Sequence, residues 1–151
     1  ESNKKNYKIV EYLVKKKIPV MGHIGFTPQF KKKFKLEGQN KFEISKLMSE
    51  AKLIEKAGAF SIVLECLSAT SAKFITQKLE IPTIGIGSSI YCDGQILVTD
   101  DMLGLSGFYP KFVKKYVSLD RLIEKAVKKY SRDVKLNKFP LRNNFLDGSR
   151  N

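Results

Sequence analysis

A glutamate stands where a hydrophobic segment ends, and it is the residue of this chain best placed for acid–base chemistry. Glu65 directly follows Ile62–Leu64, so the pattern places its carboxylate at the end of a buried strand. Removing a carboxylate from water disfavours its charged form and makes it a stronger base near neutral pH. We therefore predict that Glu65 is a general base. The alternative is a structural carboxylate paired with one of the chain's many lysines.

The single histidine of the chain occupies a second candidate position. His23 follows an apolar segment and lies between Gly22 and Gly25, and glycines let backbone and ligand approach each other closely. We predict that His23 hydrogen-bonds a substrate or the catalytic carboxylate, with a structural loop histidine as the alternative. A metal site built on His23 lacks partners at the usual ligand spacing.

Other segments carry reactive residue types but have plainer structural explanations. The Gly85–Ser88 turn resembles a phosphate-binding loop, but it lacks the lysine–serine ending, and close packing explains its glycines. Asp93 is first of all a turn residue. Asp100 and Asp101 suit either a divalent cation or a helix cap. Lys31–Lys33 could attract an anionic ligand, and a solvated loop explains them equally well.

An alternation of helices and buried strands is needed to position these residues. The periodicity predicts helices over 5–16, 42–57, 69–78, 110–117 and 120–136, and strands over 18–21, 60–64, 82–87 and 95–99, with a long loop over 23–40. Ser68 and Gly58 are predicted helix caps. The last helix is expected to turn Leu122, Ile123, Ala126, Val127 and Tyr130 inward. Near-continuous apolar strands that alternate with helices favour a parallel sheet, either small and doubly wound or half of a (β/α)₈ barrel.

Composition narrows the classes of function. Hydrophobic residues make up 42% of the 151 residues, enough for one domain with a core, and no apolar run is long enough to cross a bilayer. The net charge of +13 makes nucleic-acid binding a function to consider. Only 4 of the 28 basic residues are arginine, however, and specific base readout depends on arginine. We expect only weak, salt-dependent affinity for polyanions. Cys66 and Cys92 form no C-x-x-C pair, and we expect reduced thiols in a cytoplasmic protein.

Several strings of the chain resemble the ketopantoate hydroxymethyltransferase family, in order and in spacing. They extend over about residues 7–140, nearly the whole chain. The strings are Gly22–Gln29 (G-H-I-G-F-T-P-Q), Val63–Cys66 (V-L-E-C), Ile81–Gly87 (I-P-T-I-G-I-G), Cys92–Val98 (C-D-G-Q-I-L-V), Asp101–Leu105 and Pro110–Val113.

The resemblance implies a fold and a reaction. The fold is a (β/α)₈ barrel, with this chain as its C-terminal half, strands five to eight, over residues 1–142, followed by a polar tail at 143–151. In the reaction, a one-carbon unit passes from methylenetetrahydrofolate to ketoisovalerate (3-methyl-2-oxobutanoate), giving ketopantoate for pantothenate biosynthesis. A magnesium ion chelated by the keto acid acidifies the carbon beside the carbonyl, and the matching glutamate base is Glu65.

The resemblance also sets expectations about what this chain lacks. In the family, the metal-binding acids and a substrate-binding lysine belong to the first half of the barrel, so Mg²⁺ ligands are not expected here. A homo-oligomer is expected. The chain departs from the family at Lys32–Lys33, where a glycine pair is usual, at Ser89, where a glycine is common, and at Asp100, where histidine is usual.

Three alternatives to an active transferase stay open. The chain could be an inactive remnant or a fragment that needs the other half of the barrel. It could also be a barrel lyase of the phosphoenolpyruvate mutase type, or a nucleic-acid module. The retained Glu65 and His23 and the D-G-Q string favour the transferase.

Overall fold

The structure, a computed structural model, describes residues 6–30 and 35–144. The chain divides into two compact units, Glu1–Leu97 and Val98–Asn151. The first unit contains α1 (Tyr7–Lys15), β1 (Met21–Gly25), α2 (Lys41–Lys56), β2 (Ser61–Glu65), α3 (Ala69–Lys78), β3 (Thr83–Ile86) and β4 (Gly94–Gln95). The second contains α4 (Thr99–Leu103), α5 (Leu119–Lys135) and a 3₁₀ turn at Arg142–Asn144.

The strands form one parallel sheet in the order β1-β2-β3-β4. Gly25 pairs with Glu65, and Glu65 pairs with Ile86, so the carboxyl ends of three strands lie at one edge. This confirms the predicted α/β class with a parallel sheet. It also brings the residues that follow these three strands to the same edge.

One face of the sheet is buried beneath helices. Ile24, Ile62 and Leu64 are fully buried there, and α2 packs on them through Ala51 and Ile54. Burying each of these large aliphatic side chains contributes about 1.5 to 3 kcal/mol. Because side chains alternate along a strand, the opposite face carries Met21, His23, Val63 and Glu65, and it is partly open to solvent.

The predicted caps are confirmed. Ser68 precedes α3 and accepts a hydrogen bond from the amide of Ser71 at 3.3 Å. Gly58 follows α2 with a φ of +90°, the left-handed conformation that ends helices. The start of α2 adds a reciprocal pair: Asn40 accepts from the amide of Glu43, whose carboxylate accepts from the amide of Gln39. These contacts explain why α2 and α3 begin where they do.

The predicted position of the first strand is wrong. The run 18–21 meets β1 only at Met21, and His23 lies inside the strand rather than in a loop. The difference arises at Gly22, because glycine is depleted in strands and therefore weakens the strand signal there. A side chain at Gly22 would meet a methyl group of Ile54 in α2 at 2.4 Å, so close helix packing explains that glycine.

The predicted fourth strand and the predicted helix after it are also wrong. Strand pairing stops at Ile96, whose amide donates to Gly85, instead of running to Thr99. The segment then enters α4 with Asp100 and Asp101 in the first turn, where negative charge favours a helix. Residues 110–117 form no helix, because Tyr116 donates its amide to Met102 of α4 and not to its own segment.

The last helix is present where the sequence predicts it, but its apolar side is not buried. Leu122, Ile123, Val127 and Tyr130 of α5 are each more than half exposed, and no residue of α5 is buried. The prediction that these residues face inward is therefore wrong for this chain. The predicted lysine cluster Lys31–Lys33 lies outside the described residues.

The D-G-Q string has a structural role at the amino end of β3. A carboxylate oxygen of Asp93 accepts from the amide of Thr83 at 2.8 Å and from its hydroxyl at 3.0 Å. The Thr83 hydroxyl also lies 2.8 Å from that of Thr76 in α3, so Asp93 ties the loop to strand and helix together. This supports the interpretation of Asp93 as a turn residue.

Replacing Asp93 by alanine is expected to lower the free energy of unfolding by about 1 to 2 kcal/mol, because it leaves the amide of fully buried Thr83 without this acceptor. Urea unfolding measures the change. Asp133→Ala is a matched control, because it removes the same carboxylate from α5, outside the sheet. A loss in Asp93→Ala no larger than that of the control would contradict the structural role.

Candidate active site

The carboxyl edge of the sheet brings the two predicted site residues together. Nε2 of His23 lies 2.9 Å from Oε2 of Glu65, and their side chains are only 18% and 15% exposed. His23 pairs in register with Val63, two residues before Glu65 on the same face of β2. The histidine ring therefore reaches along this face toward the carboxylate at the strand end. The sequence predicts both residues, and the structure makes them partners.

The separation of Nε2 and Oε2 is that of an ion pair when His23 is protonated and Glu65 is ionised. In that state the close approach of the ring holds the Glu65 carboxylate in one position at the edge of the sheet.

The thiol beside Glu65 is not a second reactive group. Cys66 is buried, and burial, together with the neighbouring negative charge of Glu65, raises the pKa of its thiol to about 12. A thiol needs its deprotonated form to act as a nucleophile, so Cys66 is inert at neutral pH. Cys66 and Cys92 are both buried, free thiols.

The other predicted carboxylates, Asp93, Asp100 and Asp101, belong to other structural elements. Asp93 binds the start of β3, at the edge opposite Glu65. Asp100 and Asp101 belong to the first turn of α4, and Asp101 accepts a hydrogen bond from Ser106. Within residues 6–30 and 35–144, no three His, Cys, Asp or Glu side chains are grouped so that they could hold a metal ion.

Two further residues at this edge, Gly25 and Ser88, make contacts that the sequence did not predict. A side chain at Gly25 would meet the carbonyl oxygen of Glu65 at 2.1 Å, so Gly25 permits β1 and β2 to approach there. Ser88 makes hydrogen bonds to the main chain on both sides of Glu65. The glycine-rich turn after β3 signalled close packing, but nothing in the pattern distinguished the serine.

A comparison of the sequence with protein families matches residues 1–142 to the model described as ketopantoate hydroxymethyltransferase. The chain belongs to this family. The match covers most of the chain and includes His23 and Glu65. It favours the ketopantoate hydroxymethyltransferase family over the phosphoenolpyruvate mutase type that the sequence left open.

Curated members of the ketopantoate hydroxymethyltransferase family share about half of their residues with this chain where they align. A 3-methyl-2-oxobutanoate hydroxymethyltransferase of Pelagibacter ubique is 47% identical over 93% of this chain and 54% of its own length. The enzyme of that name from Francisella tularensis subsp. novicida is 48% identical over 97% of this chain and 57% of its own length. The enzyme of that name from a Picosynechococcus strain is 50% identical over 87% of this chain and 51% of its own length. The chain thus spans about half the length of the curated relatives it matches.

Membrane insertion has no support among the helices of the described ranges. None of them combines the length and the apolar character needed to cross a bilayer.

Proposed function

We propose that the protein containing this chain transfers a hydroxymethyl group from methylenetetrahydrofolate to 3-methyl-2-oxobutanoate, giving ketopantoate. The observation that carries the proposal is the pair of His23 and Glu65, 2.9 Å apart at the carboxyl edge of the sheet, in a chain of this family. The names of the relatives supply the substrate and the reaction type. A carboxylate at that edge supplies the base that the reaction requires.

Glu65 has the central role in the proposed reaction. Its carboxylate takes the proton from the carbon beside the ketone. That carbon then bonds to the methylene carbon of methylenetetrahydrofolate, as one of the two bonds from the methylene carbon to folate nitrogen breaks. A water molecule supplies the hydroxyl as the second bond breaks, and the proton held by Glu65 and a proton of the water go to the two nitrogens of the departing tetrahydrofolate. The low exposure of Glu65 limits competition from water for that proton. The second carboxylate oxygen is available for this transfer while Oε2 is held by His23.

His23 has a supporting role. With Nε2 2.9 Å from Oε2, the ring holds the Glu65 carboxylate in position before the substrate binds. The ring lies on the same open face of the sheet, so it can also hydrogen-bond the keto acid. This is the substrate-binding role that the sequence predicts for His23.

We infer that residues 1–142 are the C-terminal half of a (β/α)₈ barrel, strands five to eight, with 143–151 as a polar tail. Helices cover one face of the sheet, whereas Met21 on the other face is 46% exposed. In a barrel, that other face is the interior, and strand ends line the mouth where chemistry occurs. The relatives are long enough to supply the remaining strands.

A magnesium ion is part of the proposal, with ligands outside this chain. The described residues do not fit such a site, because no group of three acidic, histidine or cysteine side chains is found among them. Bound magnesium would polarise the ketone of the keto acid. A homo-oligomer and a cytoplasmic location are further parts of the proposal that follow from the family resemblance.

Deuterium exchange tests the proposal on the native gene product that contains this sequence. The keto acid has one hydrogen beside its ketone, and its exchange with D₂O turns the methyl doublet in the proton NMR spectrum into a singlet. We expect exchange without folate, and net ketopantoate formation when methylenetetrahydrofolate is added. Loss of both on treatment with a chelator, and recovery with Mg²⁺, is expected. A protein that binds the keto acid but exchanges no proton would favour the inactive remnant.

A further inference from the structure

The backbone just after Glu65 adopts a conformation that side chains disfavour. Cys66 has a φ of +55°, in the left-handed region, where a residue with a side chain is strained. Such strain persists only where surrounding contacts hold it. Because the turn begins at the residue that follows Glu65, it sets how the end of β2, and with it the carboxylate, is directed.

Main-chain hydrogen bonds hold part of this turn. Phe26 donates its amide to the carbonyl of Glu65 at 2.9 Å. The amide of Cys66 donates to Ile86, and the carbonyl of Cys66 accepts from Glu37, both at 2.9 Å. Strands on either side of β2 and the loop before α2 thus contribute to the same short segment.

The side chain of Ser88 also holds this turn, through two hydrogen bonds to the main chain. The Ser88 hydroxyl donates to the carbonyl of Leu64 at 2.7 Å and accepts from the amide of Leu67 at 3.0 Å. Leu64 and Leu67 bracket Glu65 and Cys66, so one hydroxyl connects the residue before the turn with the residue after it. The bridge needs a group that donates and accepts at once, which a hydroxyl does and a methyl group does not.

We propose that Ser88 is a positioning residue for the reaction: its hydroxyl, by bridging Leu64 and Leu67, fixes the left-handed turn that directs the Glu65 carboxylate. The inference rests on the proposed function of Glu65 as the base. Ser88 need not touch the substrate, because its hydroxyl is already committed to two main-chain partners. A displaced base loses rate even when the substrate still binds, because proton transfer depends steeply on geometry.

The test compares Ser88→Ala and Ser88→Thr with wild type in the native gene product. For Ser88→Ala, we expect kcat of keto-acid proton exchange to fall at least about tenfold, while KM stays within about twofold. Ser88→Thr, which keeps a hydroxyl, should recover most of kcat. Ser61→Ala is the matched control: it removes another hydroxyl from the β2 region, one that has no hydrogen-bond partner among the described residues. It should leave kcat unchanged.

A second measurement separates failure of this inference from failure of the proposed function. Hydrogen exchange of the Leu67 amide should accelerate in Ser88→Ala and stay slow in Ser61→Ala and Ser88→Thr. Wild-type kcat in Ser88→Ala would overturn the positioning role and leave the function standing. If wild type exchanged no keto-acid proton, the proposed function would fail. If the hydrogen exchange of the Leu67 amide were unchanged in Ser88→Ala, the proposed bridge between Leu64 and Leu67 would be overturned.

Discussion

Replacing Glu65 by glutamine is expected to lower kcat of keto-acid proton exchange by a factor of about 10² to 10⁴, the usual contribution of general-base catalysis. Glutamine has nearly the shape of glutamate, but its amide does not accept the proton at neutral pH. KM should change little, because shape and polarity at the edge of the sheet are retained. The NMR exchange assay and the complete transfer reaction measure the effect independently.

The control for Glu65→Gln removes the same charge at an exposed position of the same unit. Glu80→Gln serves, because Glu80 follows α3, near the amino edge of the sheet, and is exposed. It should exchange the keto-acid proton at the wild-type rate. If Glu65→Gln did the same, the base would be another group, and the 2.9 Å contact with His23 would be structural.

The site could be predicted in its residues but not in its geometry. Glu65 was identifiable because a carboxylate that directly follows a buried apolar run is unusual. His23 was identifiable only as a glycine-flanked histidine. That the two touch depends on the register of β1 against β2, which pairs His23 with Val63. The register depends on packing between segments that are distant in sequence. The contacts of Ser88 with Leu64 and Leu67 depend on the same packing, so no local pattern predicts them.

The fold was predictable where local signals and packing agree. For α3, the Ser68 cap and the apolar spacing give Ala69–Lys78, as in the structure. For β1 they disagree, because Gly22 weakens the strand signal while Ile54 of α2 requires a glycine there. Such a contact between segments about thirty residues apart is invisible to local periodicity.

The exposed apolar side of α5 follows a different logic. The sequence has a clear amphipathic pattern, and the helix Leu119–Lys135 forms. What the pattern predicts is that Leu122, Ile123 and Val127 need a partner surface, not which surface supplies it. Within the described residues they stay exposed. The chain spans about half the length of the relatives it matches, so the pattern predicts a partner surface without locating it.

Replacing Gly25 by alanine is expected to lower the free energy of unfolding by about 4 kcal/mol, through left-handed strain and a steric clash together. Gly25 has a φ of +97°, and an added Cβ would meet the carbonyl oxygen of Glu65 at 2.1 Å and a methyl group of Leu67 at 2.3 Å. The obstacle is partly main chain, so no side-chain rotation relieves it. β1 and β2 must therefore separate at their carboxyl ends, where the amide of Phe26 donates a hydrogen bond to the carbonyl of Glu65.

Gly107→Ala distinguishes the clash from the backbone strain. Gly107 has a φ of +74°, but a Cβ there meets nothing within 4 Å, so the strain acts alone and should cost about 1 to 2 kcal/mol. Urea unfolding of the native gene product measures both variants. A Gly25→Ala loss equal to that of Gly107→Ala would mean that the strands adjust without cost. The larger loss, accompanied by slower keto-acid exchange, would tie the close approach of β1 to the placement of Glu65, because the atom that a Cβ at Gly25 displaces belongs to the proposed base.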